Sequence, residues 1–272
     1  MKLQDKLLEL KKSRKAILAA NFYNYETLEG ILIAVSQSKQ PVILQLSESS
    51  IDYLGVSVAV SMAREALKLH GIEGWIHLDH GSSLERVALC LDAGFDSVMI
   101  DGSELPLEEN IRISREAVHM AQKYGANVEA ELGYVAKLGQ EHVKNFTDPA
   151  EARYFTEQTG VSALAVAIGS AHGFYKEKPK LEIDLLKKIN EITPVPLVLH
   201  GGSGIPDETL QEAIRNGISK INLATETKNT FMSSLKLILS ENNDIDLRKV
   251  FPGATHSVTD LINYKLKVIT SA

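Results

Sequence analysis

The chain has 272 residues, 44% of them hydrophobic and 24% charged, with a formal net charge of −6. That size and balance suit a globular protein with ample core; they argue against a general nucleic-acid binder, and no apolar run approaches the ~20 residues of a membrane span. A single cysteine leaves no internal disulfide, and the amphipathic start "MKLQDKLLELKKSRK" lacks a secretory apolar segment, so a cytoplasmic protein is expected.

After that N-terminal helix, short apolar runs alternate with longer amphipathic ones. "AILAANF" (16–22) precedes a helical pattern from Tyr25 to Ser38, and "PVILQLS" (41–47) precedes a helix through "VSVAVSMAREALKLHG". "GWIHLDHG" leads into "SLERVALCLDAG", "DSVMIDGS" into "EENIRISREAVHMAQKYG", and "ANVEAELG" through a polar stretch into "DPAEARYFTEQTG". "SALAVAIGSAHG" precedes "EIDLLKKINEI", "PVPLVLHGGSG" precedes "DETLQEAIRNG", and "SKINLAT" precedes "ETKNTFMSSLKLILS". The strands read as continuous apolar runs, as expected of a parallel sheet buried on both faces. Gly71, Gly94, Gly125, Gly160 and Gly217 stand where helices end, while Asp148-Pro149 and Pro206-Asp207 read as helix starts. Eight strand-then-helix units close most simply into a (β/α)8 TIM barrel, an α/β fold. The expected organisation is one domain over 1–272, with a C-terminal helix after about Asn243 packed outside the barrel.

Active sites of such barrels form at the C-terminal ends of the strands. Here those ends are rich in reactive groups: Asp79-His80 on strand 3, Asp101 on strand 4, Glu129 and Glu131 on strand 5, His172-Gly173 on strand 6, His200-Gly201 on strand 7, Asn222 and Thr225 on strand 8. His80, His172 and His200, each followed by glycine, have the character of a metal set that leaves a position open for substrate. Asp79 is then a candidate proton donor or acceptor. His77, two residues earlier, reads as a buried hydrogen-bonded histidine. His70, His119 and His256 read as surface or packing residues, and Cys90 as core. "HGGSGIP" (200–206) and "NLATET" (222–227) follow strands 7 and 8, the common phosphate site of this architecture.

Taken in order, "HLDHG", "VEAELG", "AIGSAHG", "PLVLHGGSG" and "KINLATE" resemble the zinc-dependent class II ketose-bisphosphate aldolases, over essentially the whole chain. The resemblance implies the same barrel, and it assigns roles. His80, His172 and His200 match the zinc ligands and Asp79 the catalytic acid/base. Gly173, Gly201, Gly202, Ser203, Asn222, Leu223, Ala224 and Thr225 match the segments that hold dihydroxyacetone phosphate. Asp101 and Glu131 match positions of a second or alternative metal.

The resemblance also implies zinc, with cobalt or manganese as alternatives. A sodium or potassium ion near the phosphate, a homodimer or homotetramer, and a small sugar phosphate as partner complete what it implies. Glu141, in the loop after strand 5, is the nearest candidate for a second acid/base, although this loop has "KLGQE" where the family commonly has a double glycine. The last helix lacks the arginine that grips a second phosphate in the fructose-bisphosphate branch; Lys265 and Lys267 are the available cations. Asn24, Gln45 and Ser47 are expected to meet substrate hydroxyls.

Three other readings compete. A TIM-barrel metallohydrolase is disfavoured because strand 1 ends "AANFYN", without histidine. A Schiff-base aldolase needs a lysine inside the barrel, and Lys220, at the start of strand 8, reads as facing the wrong way. A catalytically silent sugar-phosphate-binding subunit is disfavoured by the retained Asp79 and three histidines.

Overall fold

A computed structural model of the chain describes residues 1–133, 135, 146–175 and 178–272. Eight parallel strands close on themselves in sequence order: β1 (Ile17–Asn21), β2 (Val42–Ser47), β3 (Gly74–Gly81), β4 (Ser97–Ile100), β5 (Asn127–Leu132), β6 (Ala163–Val166), β7 (Leu197–Leu199) and β8 (Ile218–Leu223), with β8 paired to β1. The expected barrel is the observed one.

The helices alternate with the strands as read from the sequence. α1 (Leu3–Ser13) precedes β1, and α2 (Tyr25–Ser38) follows it with the predicted bounds. The helix expected after β2 is α4 (Val56–His70), and a short additional helix, α3 (Glu48–Leu54), precedes it and ends at Gly55. Then come α5 (Leu84–Asp92), α6 (Leu107–Gln122), α7 (Pro149–Thr159), α8 (Ile183–Ile192), α9 (Asp207–Arg215), α10 (Thr225–Glu241) and α11 (Leu247–Thr270). Asp148 caps α7 through the Glu151 amide with proline in the first turn, as its sequence announces. α11 packs outside the barrel on α2 and α10, where Thr259 Oγ1 donates to the Gly30 carbonyl at 3.1 Å.

Each strand presents alternate residues to two different cores. One set, including Leu18, Leu44, Ile76, Val98, Val128, Leu164, Leu197 and Ile221, packs outward against the helices. The other set faces the barrel axis and changes character along it. At the floor Ala19, Ile43, Trp75, Ala163, Ala165 and Val198 pack with Ile17 and with Leu3, Leu7 and Leu10 of α1, which plugs the barrel from below. Two residues further along several of the same strands the inward positions become Asn21, Gln45, His77 and His200.

Candidate active site

Above the apolar floor lies a fully buried polar layer. His77 on β3 faces Ser97 on β4 (Nδ1 to Oγ, 2.8 Å) and Lys220 on β8 (Nε2 to Nζ, 3.4 Å). Lys220 Nζ donates to Glu129 Oε2 at 2.8 Å, and the other oxygen of Glu129 lies 2.9 Å from His200 Nε2. Burial, reinforced by the Lys220 charge, pushes the His77 imidazole down to about 3, so it is neutral. For Glu129, burial opposes ionisation, but the Lys220 ammonium and then His200 outweigh it and hold the carboxyl well below its usual range.

The expectation that Lys220 faces away from the interior is corrected here. Lys220 lies two residues before Asn222, so alternation along β8 puts both on the inner face. It is 1% exposed and bound to Glu129, so its ammonium is committed to an ion pair.

The next layer is the mouth. His80, His172 and His200 converge, with one ring nitrogen of each lying within 4.8 Å of those of the other two. Ring centroids stand 4.7 to 5.8 Å apart. His200 Nδ1 is 3.0 Å from His80 Nε2. The remaining nitrogens of these two rings are taken: His80 Nδ1 meets Asp101 Oδ2 at 2.7 Å, as His200 Nε2 meets Glu129. Carboxylate partners of this kind fix ring orientation and leave the inward nitrogens as lone-pair donors, a donor set that fits a divalent ion such as zinc.

Asp79 and His80 are consecutive, so simple alternation would send them to opposite faces. The register of β3 against β4 breaks between Leu78 and Gly81, and His80 adopts a left-handed backbone with φ 55°. The irregularity re-aims the imidazole into the mouth beside Asp79. Asp79 is held from both sides: Asn21 Nδ2 donates to Oδ2 at 2.8 Å and Asn222 Nδ2 to Oδ1 at 3.2 Å. Burial works against its ionisation, but His80, His200 and the Asn21 hydrogen bond prevail and lower it to about 2.

His80 is pulled the other way. Burial opposes its charge, and the Asp101 hydrogen bond with the charges of Asp79, Glu131 and Asp101 raises it to about 9. Burial, followed by the other two histidines, lowers His172 to about 3. The mouth thus stores negative charge on Asp79 and Asp101 around imidazoles of unequal basicity.

Beside the histidines is a cleft lined by Asp79, His172, Gly173, Gly201, Ser203, Asn222, Ala224 and Thr225. Its glycines are there for backbone approach. Gly201 has φ +67°, and a Cβ on it would sit 2.3 Å from the Ala171 carbonyl; one on Gly202 would sit 2.7 Å from the Asn222 carbonyl. Ala224 and Thr225 line the cleft at the start of α10, where the helix dipole suits an anion. Ser203 Oγ accepts from the Glu226 amide at 3.2 Å, and Glu226 Oε1 accepts from the Gly204 amide at 2.9 Å, so the two loops brace each other.

Several expected residues are placed differently. Leu223 turns its side chain into the helix-facing core, away from the cleft. Asn24 uses its side chain to cap α2 through the Thr27 amide, and Ser47 caps α3 through the Ser50 amide. Gln45 is fully buried and donates to Asn21 Oδ1 at 2.9 Å; it reaches the mouth only through that asparagine. Asn21, the direct partner of Asp79, was not singled out from the sequence, although its place two residues after Ala19 puts it on the inner face.

Asp101 accepts from the amide and hydroxyl of Ser103 with its second oxygen, and Glu131 Oε2 lies 3.3 Å from His200 Nδ1. Lys265 is buried and ion-paired with Glu226 at 2.9 Å, so it is not free to meet a second phosphate, and Lys267 is exposed on α11. Glu141 and His142 lie outside the described residues. Cys90 is fully buried, as expected.

The model of the class II fructose-bisphosphate aldolases matches residues 1–272. The chain belongs to that family. Its members are carbon–carbon lyases and, in general, zinc-dependent. The fructose-bisphosphate aldolase of Geobacillus stearothermophilus is 40% identical over 259 residues, covering 92% of this chain and 90% of the relative. A D-tagatose-1,6-bisphosphate aldolase subunit of Klebsiella oxytoca is 37% identical over 246 residues, covering 89% of this chain and 87% of the relative. Among solved structures, the YdjI aldolase of Escherichia coli K12 superposes with a TM-score of 0.88 at 32% identity, covering 99% of this chain and 97% of that one. Among the described residues, no helix is long and apolar enough to cross a membrane.

Proposed function

We propose that the protein reversibly cleaves a ketose 1-phosphate or 1,6-bisphosphate to dihydroxyacetone phosphate and an aldehyde. The observation that carries this is the convergence of three imidazoles beside an ionised, doubly held Asp79 and a glycine-lined anion cleft. Zinc, or cobalt or manganese in its place, held by His80, His172 and His200, would supply Lewis-acid stabilisation of the charge that develops when the carbon–carbon bond breaks.

The chain's own groups do the rest. The backbone of Gly173, Gly201 and Gly202 with Ser203, Ala224 and Thr225 receives the 1-phosphate, aided by the α10 dipole and by a sodium or potassium counter-ion. Asp79 takes the C4 hydroxyl proton during cleavage and returns it to the aldehyde oxygen in the reverse direction. Asn21 and Asn222 fix its carboxylate, and the amide oxygen of Asn222 (Oδ1), which has no partner among the described residues, is available to a substrate hydroxyl. Asp101 orients His80, and it and Glu131 would hold a second or alternative metal. Glu141 is the proposed second proton carrier. The same reading takes the molecule as a cytoplasmic homodimer or homotetramer.

The test is an aldol screen of dihydroxyacetone phosphate against phosphorylated and unphosphorylated aldehydes, before and after chelation. Condensation that stops on chelation and returns with zinc or cobalt is expected. Undiminished turnover in protein shown to contain no metal would overturn the proposal. Hydrolysis of a phosphate or amide in place of condensation would point to a metallohydrolase, and metal and phosphate binding without any turnover to a silent binding subunit.

A further inference from the structure

Two of the histidine-bearing loops of the mouth meet at one tyrosine. The run after β6 passes Ala171, His172 and Gly173 and reaches Tyr175, whose ring turns back under the loop after β7. Its hydroxyl accepts from the Ala171 amide at 2.8 Å and donates to the Gly201 carbonyl at 2.9 Å. The first bond fixes the residue before His172, and the second fixes the residue after His200. The ring itself packs against Gly204 of the loop after β7, where a Cβ would come within 3.3 Å of it. The loops touch at the same place, because Gly201 packs its α-carbon against the Ala171 backbone. Burial holds the phenol up at about 12, so the hydroxyl keeps the proton it donates.

We infer that Tyr175 is a positioning residue: a hydroxyl latch that sets the spacing between the His172-Gly173 and His200-Gly201-Gly202 segments, and so the shape of the anion cleft between them. The reasoning is one of hydrogen-bond accounting. The Ala171 amide meets the hydroxyl within its own loop and the Gly201 carbonyl meets it from the loop after β7, so both backbone groups are satisfied by this one side chain and not by the barrel's strand ladder. With the hydroxyl in place, the Ser170–Ala171 and Gly201–Gly202 peptide planes are held at one separation, and the loops that border the cleft are pre-set before an anion arrives. Without it, each plane is free to rotate toward water, and the cleft must be ordered at the moment of binding.

The inference rests on the reading of this cleft as a phosphate subsite, and inorganic phosphate alone tests it apart from catalysis. Tyr175→Phe keeps the ring against Gly204 and removes only the oxygen. The expected result is a roughly tenfold weaker affinity for inorganic phosphate, a KM for the ketose phosphate raised by a similar factor, a kcat changed less than threefold, and an unchanged melting temperature. Unchanged phosphate affinity and KM would overturn the latch, as would a lowered melting temperature with KM intact, which marks a merely structural hydroxyl.

If Y175F loses both stability and affinity, native-state hydrogen exchange decides. Selective acceleration at the Ala171 amide, with the β6 amides unchanged, supports the latch, and uniform acceleration of both overturns it. Wild-type protein that turns over ketose phosphate but shows no competition by inorganic phosphate would sink the phosphate subsite itself, a different failure from an inert Y175F.

Discussion

At the floor of the barrel Ile43, Trp75 and Val198 pack against Leu3, Leu7 and Leu10; two residues on, along the same three strands, Gln45, His77 and His200 replace them. The backbone is the same in both layers, and the inward direction is the same. What differs is that the floor is closed by an apolar helix, whereas the layers above it are filled by charges and amides that satisfy one another. Burial of apolar surface stabilises the lower layer without any directional demand. The upper layers are stable because their charged groups meet partners of opposite character, Lys220 with Glu129 and Asp79 with two amides. Substitutions in the two regions should therefore separate stability from chemistry.

The largest expected effects lie at the mouth. Asp79→Ala should retain the metal, measured by elemental analysis, yet lose about a thousandfold or more in kcat, within the range assigned to a missing general acid/base. His172→Ala should lose metal and turnover together. An Asp79→Ala protein stripped of its metal, and active again when metal is re-added, would make that carboxylate structural.

At the floor the sign reverses. Leu7→Ala removes a side chain that is 2% exposed and should cost about 2–5 kcal/mol in denaturant unfolding with KM and kcat intact. A change in kcat at equal metal content would break the division between floor and mouth.

The middle layer should show both behaviours. Glu129→Gln weakens the acceptor that orients His200 and leaves Lys220 without its counter-charge. Zinc affinity, read by chelator competition, should fall about 10- to 100-fold.

Smallest is a pH effect in metal-free protein. His77 titrates near 3 when folded, below the usual 6.5, so between those values the unfolded chain binds more protons. Stability must fall as the pH is lowered through that window, by about 1 kcal/mol per pH unit from this residue. His80 contributes with the opposite sign, losing stability as pH rises from 6.5 to about 9. Thermal melts of His77→Asn should show a shallower acid limb than wild type; an identical limb would mean that His77 takes up no extra proton on unfolding.

Much of the plan was legible because it depends on local pattern. The strand-then-helix order, the closing glycines and the Asp148-Pro149 helix start are all short-range signals, and the family motifs pick out His80, His172, His200 and Asp79 one strand end at a time. Reading the strands as continuous apolar runs hid the alternation inside them. Counting by twos from Asn222 and from Ala19 places Lys220 and Asn21 on the inner face, which a continuous apolar pattern does not reveal. A polar residue just before a helix is more often a cap, and Asn24 caps α2.

By itself, then, the sequence determined the eightfold unit, its parallel order and the strand ends on which reactive groups stand, since hydrophobic period and turn chemistry act over a few residues. Only the closed barrel decided which of those groups meet. The β3 irregularity that brings His80 round to Asp79, the pairing of Lys220 with Glu129 across the interior, and the Tyr175 contact between two loops all join residues 20 or more positions apart or depend on neighbouring strands. Such contacts are fixed by strand register and barrel curvature, physical quantities that no single stretch of the chain contains.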